Sequence, residues 1–192
     1  MTDQIDQTKE KIIRVTLDLL NDYTIQQLTI DDIAKKSGID KSFIEANFLG
    51  KENLLANSFS FFFNRMKNIF NVLNDDSISQ YNKLKEFAKR YSNNFIEFPA
   101  MLKMQINQMI NNSFDIEKFP KEIREGFDKV RNIIGELKNT QDEEKKSFLF
   151  VSLISSILYP AIISNYTEKL LNFNYKDRDT RYKYIDCILE KF

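Results

Sequence analysis

Histidine and tryptophan are absent from the sequence, and cysteine occurs once, at Cys187. Without histidine the chain lacks the commonest general base and the commonest metal ligand, and it contains no Ser-His or Cys-His pair for nucleophilic catalysis. A single cysteine excludes an intramolecular disulfide, and no secretory signal sequence opens the chain, which favours a reducing cytoplasm. We therefore expect a cytoplasmic protein that is not an enzyme and that needs no metal or cofactor.

Glycine and proline are also scarce, with four and three residues in 192. Long stretches free of both, together with 42% hydrophobic and 29% charged residues, are typical of a soluble helical protein. We therefore predict an all-α fold. Apolar residues at spacings of three and four predict helices at about 9–21, 51–73, 78–98, 99–110, 120–137, 143–171 and 179–190.

Residues 29–55, TIDDIAKKSGIDKSFIEANFLGKENLL, call for a specific local geometry. Thr29 and Asp32 have the spacing of a reciprocal helix cap, so a helix is expected to begin directly after Thr29. Gly38 supplies the positive φ that ends this short helix, and Asp40 is placed to cap the next one. Two helices joined by so short a turn form a helix-turn-helix.

The order of these residues, preceded by an amphipathic helix, resembles the DNA-binding domain of the TetR family of bacterial transcriptional regulators. The resemblance depends on the turn glycine, Lys41 after the helix cap, the aromatic Phe48 and the pair Lys51-Glu52. It implies an N-terminal three-helix helix-turn-helix domain over residues 1–50, with the motif at about 29–48. It also implies a C-terminal helical ligand-binding and dimerisation domain over residues 51–192.

The resemblance further implies that the chain binds double-stranded operator DNA. The N-terminal end of the second motif helix would enter a major groove, with Phe43 against a thymine methyl group and Thr29 and Lys51 near phosphates. Since one such helix reads only a few base pairs, we expect a homodimer on an inverted-repeat site. The predicted DNA-contacting residues are Thr29, Lys41, Ser42, Phe43, Asn47 and Lys51.

Several residues depart from the family pattern. Glu45 stands where the family commonly has a tyrosine, Asn47 where it has a histidine, and Thr24 where the preceding loop has a glycine. Up to Glu52 the chain carries seven basic and ten acidic residues, a net charge of −3, whereas DNA-binding domains usually show a basic surface. A second interpretation is therefore a helical interaction protein of the same fold with weak or lost DNA binding.

The run from Ser147 to Thr167 is uncharged and long enough to span a bilayer. Serines, Asn165 and Pro160 dilute its apolar character, so a soluble core helix is the alternative and no membrane association is expected. The resemblance implies a third role, in which residues 143–171 and 179–190 pair with their counterparts in a four-helix dimer interface. Small serines would allow the close approach that such an interface needs.

Phenylalanine and methionine are placed to line a ligand cavity between the later helices, because both make adaptable apolar walls. Such stripes more often form a solid core, which is the alternative for each of these residues. Gln105 and Arg131 are candidate polar anchors. The expected function is a ligand-responsive repressor that a small apolar or amphipathic inducer releases from DNA. The predicted ligand-binding residues are Phe59, Phe62, Phe63, Met66, Tyr91, Phe95, Phe98, Met101, Met104, Phe127, Leu158 and Tyr159.

Overall fold

The computed structural model describes residues 2–113 and 115–192, and this part of the chain contains ten α-helices and no strand. The predicted all-α class is confirmed. Short 3-10 turns occur at Asn71–Asn74 and Ile116–Lys118. The helices are α1 Thr2–Leu19, α2 Ile30–Ser37, α3 Lys41–Phe48, α4 Lys51–Phe70, α5 Gln80–Glu97, α6 Pro99–Ile110, α7 Lys121–Leu137, α8 Glu143–Ile162, α9 Thr167–Leu171 and α10 Arg178–Leu189.

Helix α1 begins at Thr2, earlier than the predicted start near Lys9. The additional residues lack an apolar stripe, and the hydrophobic pattern therefore did not include them. They also lack glycine and proline, and a helix already nucleated on packed residues extends through such a segment at little cost.

The single helix predicted over residues 143–171 is divided into α8 and α9. Pro160 lies inside α8 and has no N–H, so the carbonyl of Ser156 loses its helical partner. The hydroxyl of Tyr184 donates to that carbonyl at 3.0 Å. The fully buried Tyr175 donates to the next carbonyl at 2.8 Å. Tyrosines from the segment that follows therefore satisfy the backbone just before the helix ends.

The helices form two compact units. The first unit comprises the described residues up to Asn64 together with Phe98–Met104, and the second comprises those of Arg65–Glu97 and Gln105–Phe192. Helices α4 and α6 each contribute residues to both units. These units differ in extent from the predicted ranges 1–50 and 51–192, and the assignment of a separate function to each range stays a prediction.

In the first unit, α1, α2 and α3 pack around fully buried aliphatic side chains, among them Ile12, Leu28, Ile33 and Ile44. A second part of its core is aromatic. Phe98 packs edge-on against Phe61 and against Phe62, with ring centroids 6.1 Å apart in both pairs. The guanidinium of Arg14 lies over the Phe61 ring, 5.3 Å from its centroid, and adds a cation–π contact to this cluster.

The second unit is built around α5, α7, α8 and α10, and its core contains a chain of aromatic rings. Phe87 stacks on Phe70 at 5.4 Å and on Tyr91 at 5.3 Å between centroids. Phe127 of α7 meets Phe70 edge-on at 5.1 Å and Phe150 of α8 at 5.7 Å. These rings fix the positions of the helices that surround the cavity described below.

Candidate functional site

The helix-turn-helix begins and ends at the predicted residues. The Thr29 hydroxyl accepts a hydrogen bond from the Asp32 N–H at 3.2 Å, and the Asp32 carboxylate accepts one from the Thr29 N–H at 3.0 Å. Gly38 adopts φ 68° and ψ 26° at the end of α2, as predicted. Asp40 precedes α3, but its side chain makes no capping hydrogen bond, so its predicted capping role was wrong.

The connection between α1 and α2 needs no glycine at Thr24. Among the described residues, positive φ at non-glycine positions occurs at Leu49, Asn112, Asn139 and Asn172, and Thr24 is not among them. The Thr24 N–H and the Thr24 hydroxyl both donate to the side-chain amide oxygen of Gln27, at 3.1 and 3.0 Å. The Gln27 N–H donates back to the Thr24 hydroxyl at 3.3 Å. Thr24 therefore forms a reciprocally bonded turn with Gln27 that requires no positive φ.

Helix α3 buries Ile44 and Phe48 and presents one polar face to solvent. Lys41, Ser42, Glu45 and Ala46 are exposed on that face, and Phe43 and Asn47 at its edges are half-buried. Five of the six predicted DNA-contacting residues, all except Lys51, thus lie on or next to the two motif helices, and four of them are on α3. Their contact with DNA stays a prediction.

Donors on this surface have partners within the first unit. Lys41 pairs with Asp31 at 3.0 Å, and this hydrogen bond raises the pKa of Lys41 above its ordinary value. The Asn47 amide donates to the Phe43 carbonyl at 2.8 Å, and Lys51 donates to the Gln26 carbonyl at 3.2 Å. A DNA phosphate must therefore replace these partners, which lowers the net binding free energy that each contact contributes.

Leu49, the residue that directly follows α3, was not among the residues predicted from the sequence to have a functional role. It adopts φ 57° and ψ 33°, and 80% of its surface is exposed. Gly50 follows with φ 114°, a conformation that only glycine adopts readily. A leucine exposed beside a candidate reading helix is available for apolar contact with a partner.

We expect Leu49→Gly to stabilise the isolated protein by about 0.5–1 kcal/mol, because glycine relieves the left-handed strain and little buried surface is lost. Gly50→Ala should have the opposite effect, since its φ is unfavourable for any side chain. Urea unfolding measures both changes. A lower stability of Leu49→Gly would show that the leucine makes a stabilising contact that outweighs its strain.

The second unit contains an apolar cavity of about 420 Å³, partly open to solvent, between α4, α5, α6, α7 and α8. This volume lies within the range of small-molecule sites. Four predicted ligand-binding residues line it, namely Met66, Tyr91, Phe127 and Leu158, and so does the candidate anchor Gln105. Sequence reasoning missed Met109, Phe119, Ile123, Arg124, Asp128, Phe150 and Ile154, which complete the lining.

The other eight predicted ligand-binding residues do not line this cavity. Phe95 is buried elsewhere in the second unit, and Tyr159 is 60% exposed. The remaining six belong to the first unit, because the first part of α4 and of α6 packs there: Phe59, Phe62, Phe63, Phe98, Met101 and Met104. A role for these residues in ligand binding stays a prediction.

The cavity has a polar edge of mutually paired charges. Arg124 pairs with Glu117 at 2.5 Å, and Asp128 pairs with Arg131, the second candidate anchor, at 3.0 Å. The buried Nε of Arg124 has no hydrogen-bond partner among the described residues. Burial raises the pKa of the hydroxyl of Tyr91, another lining residue, which therefore stays neutral. The edge can donate a hydrogen bond to a ligand without presenting a strong net charge.

In the described part of the chain one helix, α8, is long and apolar enough to cross a bilayer by length and composition alone. Its exposed side is an apolar stripe at helical spacing, which we call the α8 stripe: Phe148, Val151, Ser155, Tyr159 and Ile162. The four large members are between 50% and 65% exposed. Contiguous exposed apolar surface of this kind marks an interaction site.

No model of a known protein family matches the chain, and no curated protein matches its sequence. Solved structures match it nearly end to end. The hemolysin II transcriptional regulator HlyIIR is 19% identical with a TM-score of 0.61, and the match covers 95% of this chain and 97% of that one. FadR, the fatty acid degradation regulator from Bacillus halodurans, is 15% identical with a TM-score of 0.56, covering 95% and 94%.

A TetR family protein from Vibrio parahaemolyticus is 19% identical with a TM-score of 0.53, covering 95% of this chain and 97% of that one. Because these identities are low, the likeness concerns the fold. The chain therefore has the fold of the TetR-family transcriptional regulators, as the helix-turn-helix and the all-α architecture predicted.

Proposed function

We propose that the protein is a cytoplasmic, dimeric transcriptional regulator that binds an inverted-repeat operator and is released by a small apolar or amphipathic ligand. The observation that carries the proposal is the helix-turn-helix itself. Its first helix is capped by Thr29 and ended by Gly38, and its second helix buries one side and exposes Lys41, Ser42 and Glu45 on the other. Such a helix fits a major groove.

Dimerisation is proposed through the α8 stripe. A single recognition helix reads too few base pairs to select one site, whereas two related by symmetry read two half-sites together. The stripe offers apolar side chains around the small Ser155, which allows two helices to approach closely. The exposed face of α10 is more polar, with Asp179 and Lys183, and Glu190 follows directly after the helix, so it fits the edge of an interface better than the centre.

The apolar cavity is the proposed ligand site. A ligand with an apolar body would lie against Met66, Phe127 and Leu158, and a hydrogen-bond acceptor at one end would meet the Nε of Arg124. Met66 belongs to α4, the helix that begins at Lys51 next to the helix-turn-helix. Ligand binding would shift α4, change the separation of the two recognition helices and so reduce operator affinity.

A gel-shift titration with the DNA upstream of the protein's own gene tests the DNA-binding part. We expect specific binding that Glu45→Tyr strengthens by about tenfold, because the substitution removes a carboxylate that repels phosphate and adds a donor in each subunit. Glu125→Gln removes an exposed carboxylate of α7 in the second unit and should leave affinity unchanged. Absence of specific binding by both the wild type and Glu45→Tyr would exclude the repressor function.

The ligand site is tested by screening apolar and amphipathic metabolites for thermal stabilisation, since a compound that binds only the folded protein raises its melting temperature. Leu158→Trp fills the cavity. We expect this variant to bind a stabilising compound at least about tenfold more weakly, as measured by the apparent affinity from the thermal shifts. Asn107→Trp places the same side chain at an exposed position of α6 that does not line the cavity and should keep the response. Equal responses of the two variants would place the ligand elsewhere.

The second candidate is an interaction protein of the same fold that has lost DNA affinity. It is favoured by the net charge of −3 up to Glu52 and by Asp31, which already neutralises Lys41. The salt dependence of DNA binding separates the two functions. A regulator must lose affinity steeply as salt rises, by about 0.9 log unit per log unit of salt for each phosphate contacted, whereas an interaction protein shows weak binding and no sequence preference.

A further inference from the structure

A second hollow, of about 300 Å³, lies between the end of α4 and the second half of α5. Arg65, Asn68 and Ile69 line it from α4, and Arg90, Asn93 and Asn94 line it from α5. The two helices use the same pattern, RMKNI at 65–69 and RYSNN at 90–94, which places three residues of each helix on one face. All six residues belong to the second unit.

Asn94 is the most informative of these residues. It is one of the residues that line the hollow, only 2% of it is exposed, and neither its amide nitrogen nor its amide oxygen has a hydrogen-bond partner among the described residues. Nearly all buried side-chain polar atoms in folded proteins are hydrogen-bonded, and leaving them unpaired is unfavourable. Asparagine is also a poor residue for the middle of a helix. A buried amide with two unpaired ends indicates a ligand that offers both an acceptor and a donor.

The wall beside Asn94 is held in place by a buried network. Arg181, which is 4% exposed, donates to the Asn93 amide oxygen at 2.6 Å, and the Asn93 amide nitrogen lies 2.6 Å from the Tyr182 hydroxyl. Asn93 is therefore oriented before any ligand arrives. The guanidinium of Arg181 adds positive charge behind this wall.

The charge of the hollow favours an anion. Of the described residues that line it, two are arginines and none is acidic. Glu97 pairs with Arg65 at 2.5 Å, whereas Glu86 is only in loose contact with Arg90 at 3.8 Å. The guanidinium of Arg90 therefore keeps most of its capacity to bind an oxyanion, for which its forked geometry is well suited.

We propose that this hollow binds a small oxyanion that also carries a hydroxyl group, either hydrogenphosphate or a short hydroxycarboxylate. Arg90 and the Asn94 amide nitrogen would donate to the oxyanion, and the hydroxyl would donate to the Asn94 oxygen. The volume is at the lower end of small-molecule sites, which fits a ligand of this size. Met66 and Tyr91, the next residues after Arg65 and Arg90, line the apolar cavity, so α4 and α5 separate the two sites.

Thermal unfolding of the full chain, in chloride buffers of equal ionic strength, tests the proposal with three probes: inorganic phosphate, malate, and succinate, which lacks the hydroxyl. At about 10 mM probe, we expect phosphate or malate to raise the melting temperature by roughly 3 °C and succinate to raise it less. Whichever of the first two acts at lower concentration identifies the ligand class. No shift with any probe would overturn the proposal and leave water as the occupant. Equal shifts with malate and succinate would overturn the role of the hydroxyl.

Substitutions test whether the probes bind in the hollow. Asn94→Leu preserves the shape of the side chain but removes both unpaired atoms, so this variant should melt above the wild type in chloride and lose the response to the probes. Arg90→Gln, on a half-exposed side chain, should fold normally and respond weakly, and it decides the question if Asn94→Leu does not fold. Lys121→Gln removes an exposed cation of α7 and should keep the full response. A full response of either site variant would overturn the proposal.

Discussion

Tyr159→Glu should reduce operator affinity by about 100-fold or more, because it places an unpaired carboxylate in the proposed dimer interface. In a symmetric dimer each substitution occurs twice, so the two carboxylates would also face the same apolar surface. Tyr159 is 60% exposed in the single chain, and its loss should therefore leave the fold of each subunit intact. Analytical ultracentrifugation should show monomers, and the gel shift should show lost or half-site binding.

A matched variant separates dimer loss from a general effect of added charge. Asn107→Glu adds the same charge at an exposed position of α6, which is not part of the α8 stripe, and should leave both the dimer and operator binding unchanged. Unfolding curves must confirm that Tyr159→Glu is folded. If this variant stays dimeric, the interface lies elsewhere; if it becomes monomeric but still binds the full operator tightly, dimerisation is not what provides affinity.

The helix-turn-helix could be predicted from the sequence because its determinants are local. Thr29 and Asp32 are three residues apart, and their reciprocal bonds depend on nothing outside one helical turn. The role of Gly38 likewise depends only on the backbone angle φ at its own position. The side chain of Asp40 also had the right spacing, yet it makes no capping bond, since a local signal permits a contact without enforcing it.

The cavity could be predicted only in part. The spacing of apolar residues shows which side chains are buried, but it does not show which other residues they pack against. Phe62 and Met66 are four residues apart on α4, but Phe62 packs on Phe98 in the first unit while Met66 lines the cavity of the second. The helix break near Pro160 and the hollow lined by Asn93 and Asn94 depend on residues that are distant in sequence. Tyr184, which compensates Pro160, bonds a carbonyl 28 residues away, and no local pattern encodes that pairing.

Gly126→Ala is expected to destabilise the protein by about 2 kcal/mol, although alanine favours a helix by about 1 kcal/mol over glycine. A β-carbon at this position of α7 would lie 2.4 Å from two ring atoms of Phe70. That ring cannot withdraw, because it stacks on Phe87 at 5.4 Å and meets Phe127 edge-on at 5.1 Å. For a chain of this length, thermal unfolding should show a decrease of roughly 5 °C.

Gly135 provides the control, since it lies in the same helix and is also buried. The three atoms nearest to its β-carbon all belong to the side chain of Lys146, with Cε at 2.6 Å. This aliphatic chain ends in an ammonium group that pairs with the exposed Glu143, so it can shift more easily than a ring packed between two other rings. We therefore expect Gly135→Ala to change stability by less than about 1 kcal/mol. Because Phe127 lines the cavity and contacts Phe70, Gly126→Ala should also weaken ligand-induced stabilisation, whereas Gly135→Ala should not. Equal losses in both variants would show that α7 tolerates no added methyl group, and that the rigidity of the aromatic chain is not the cause.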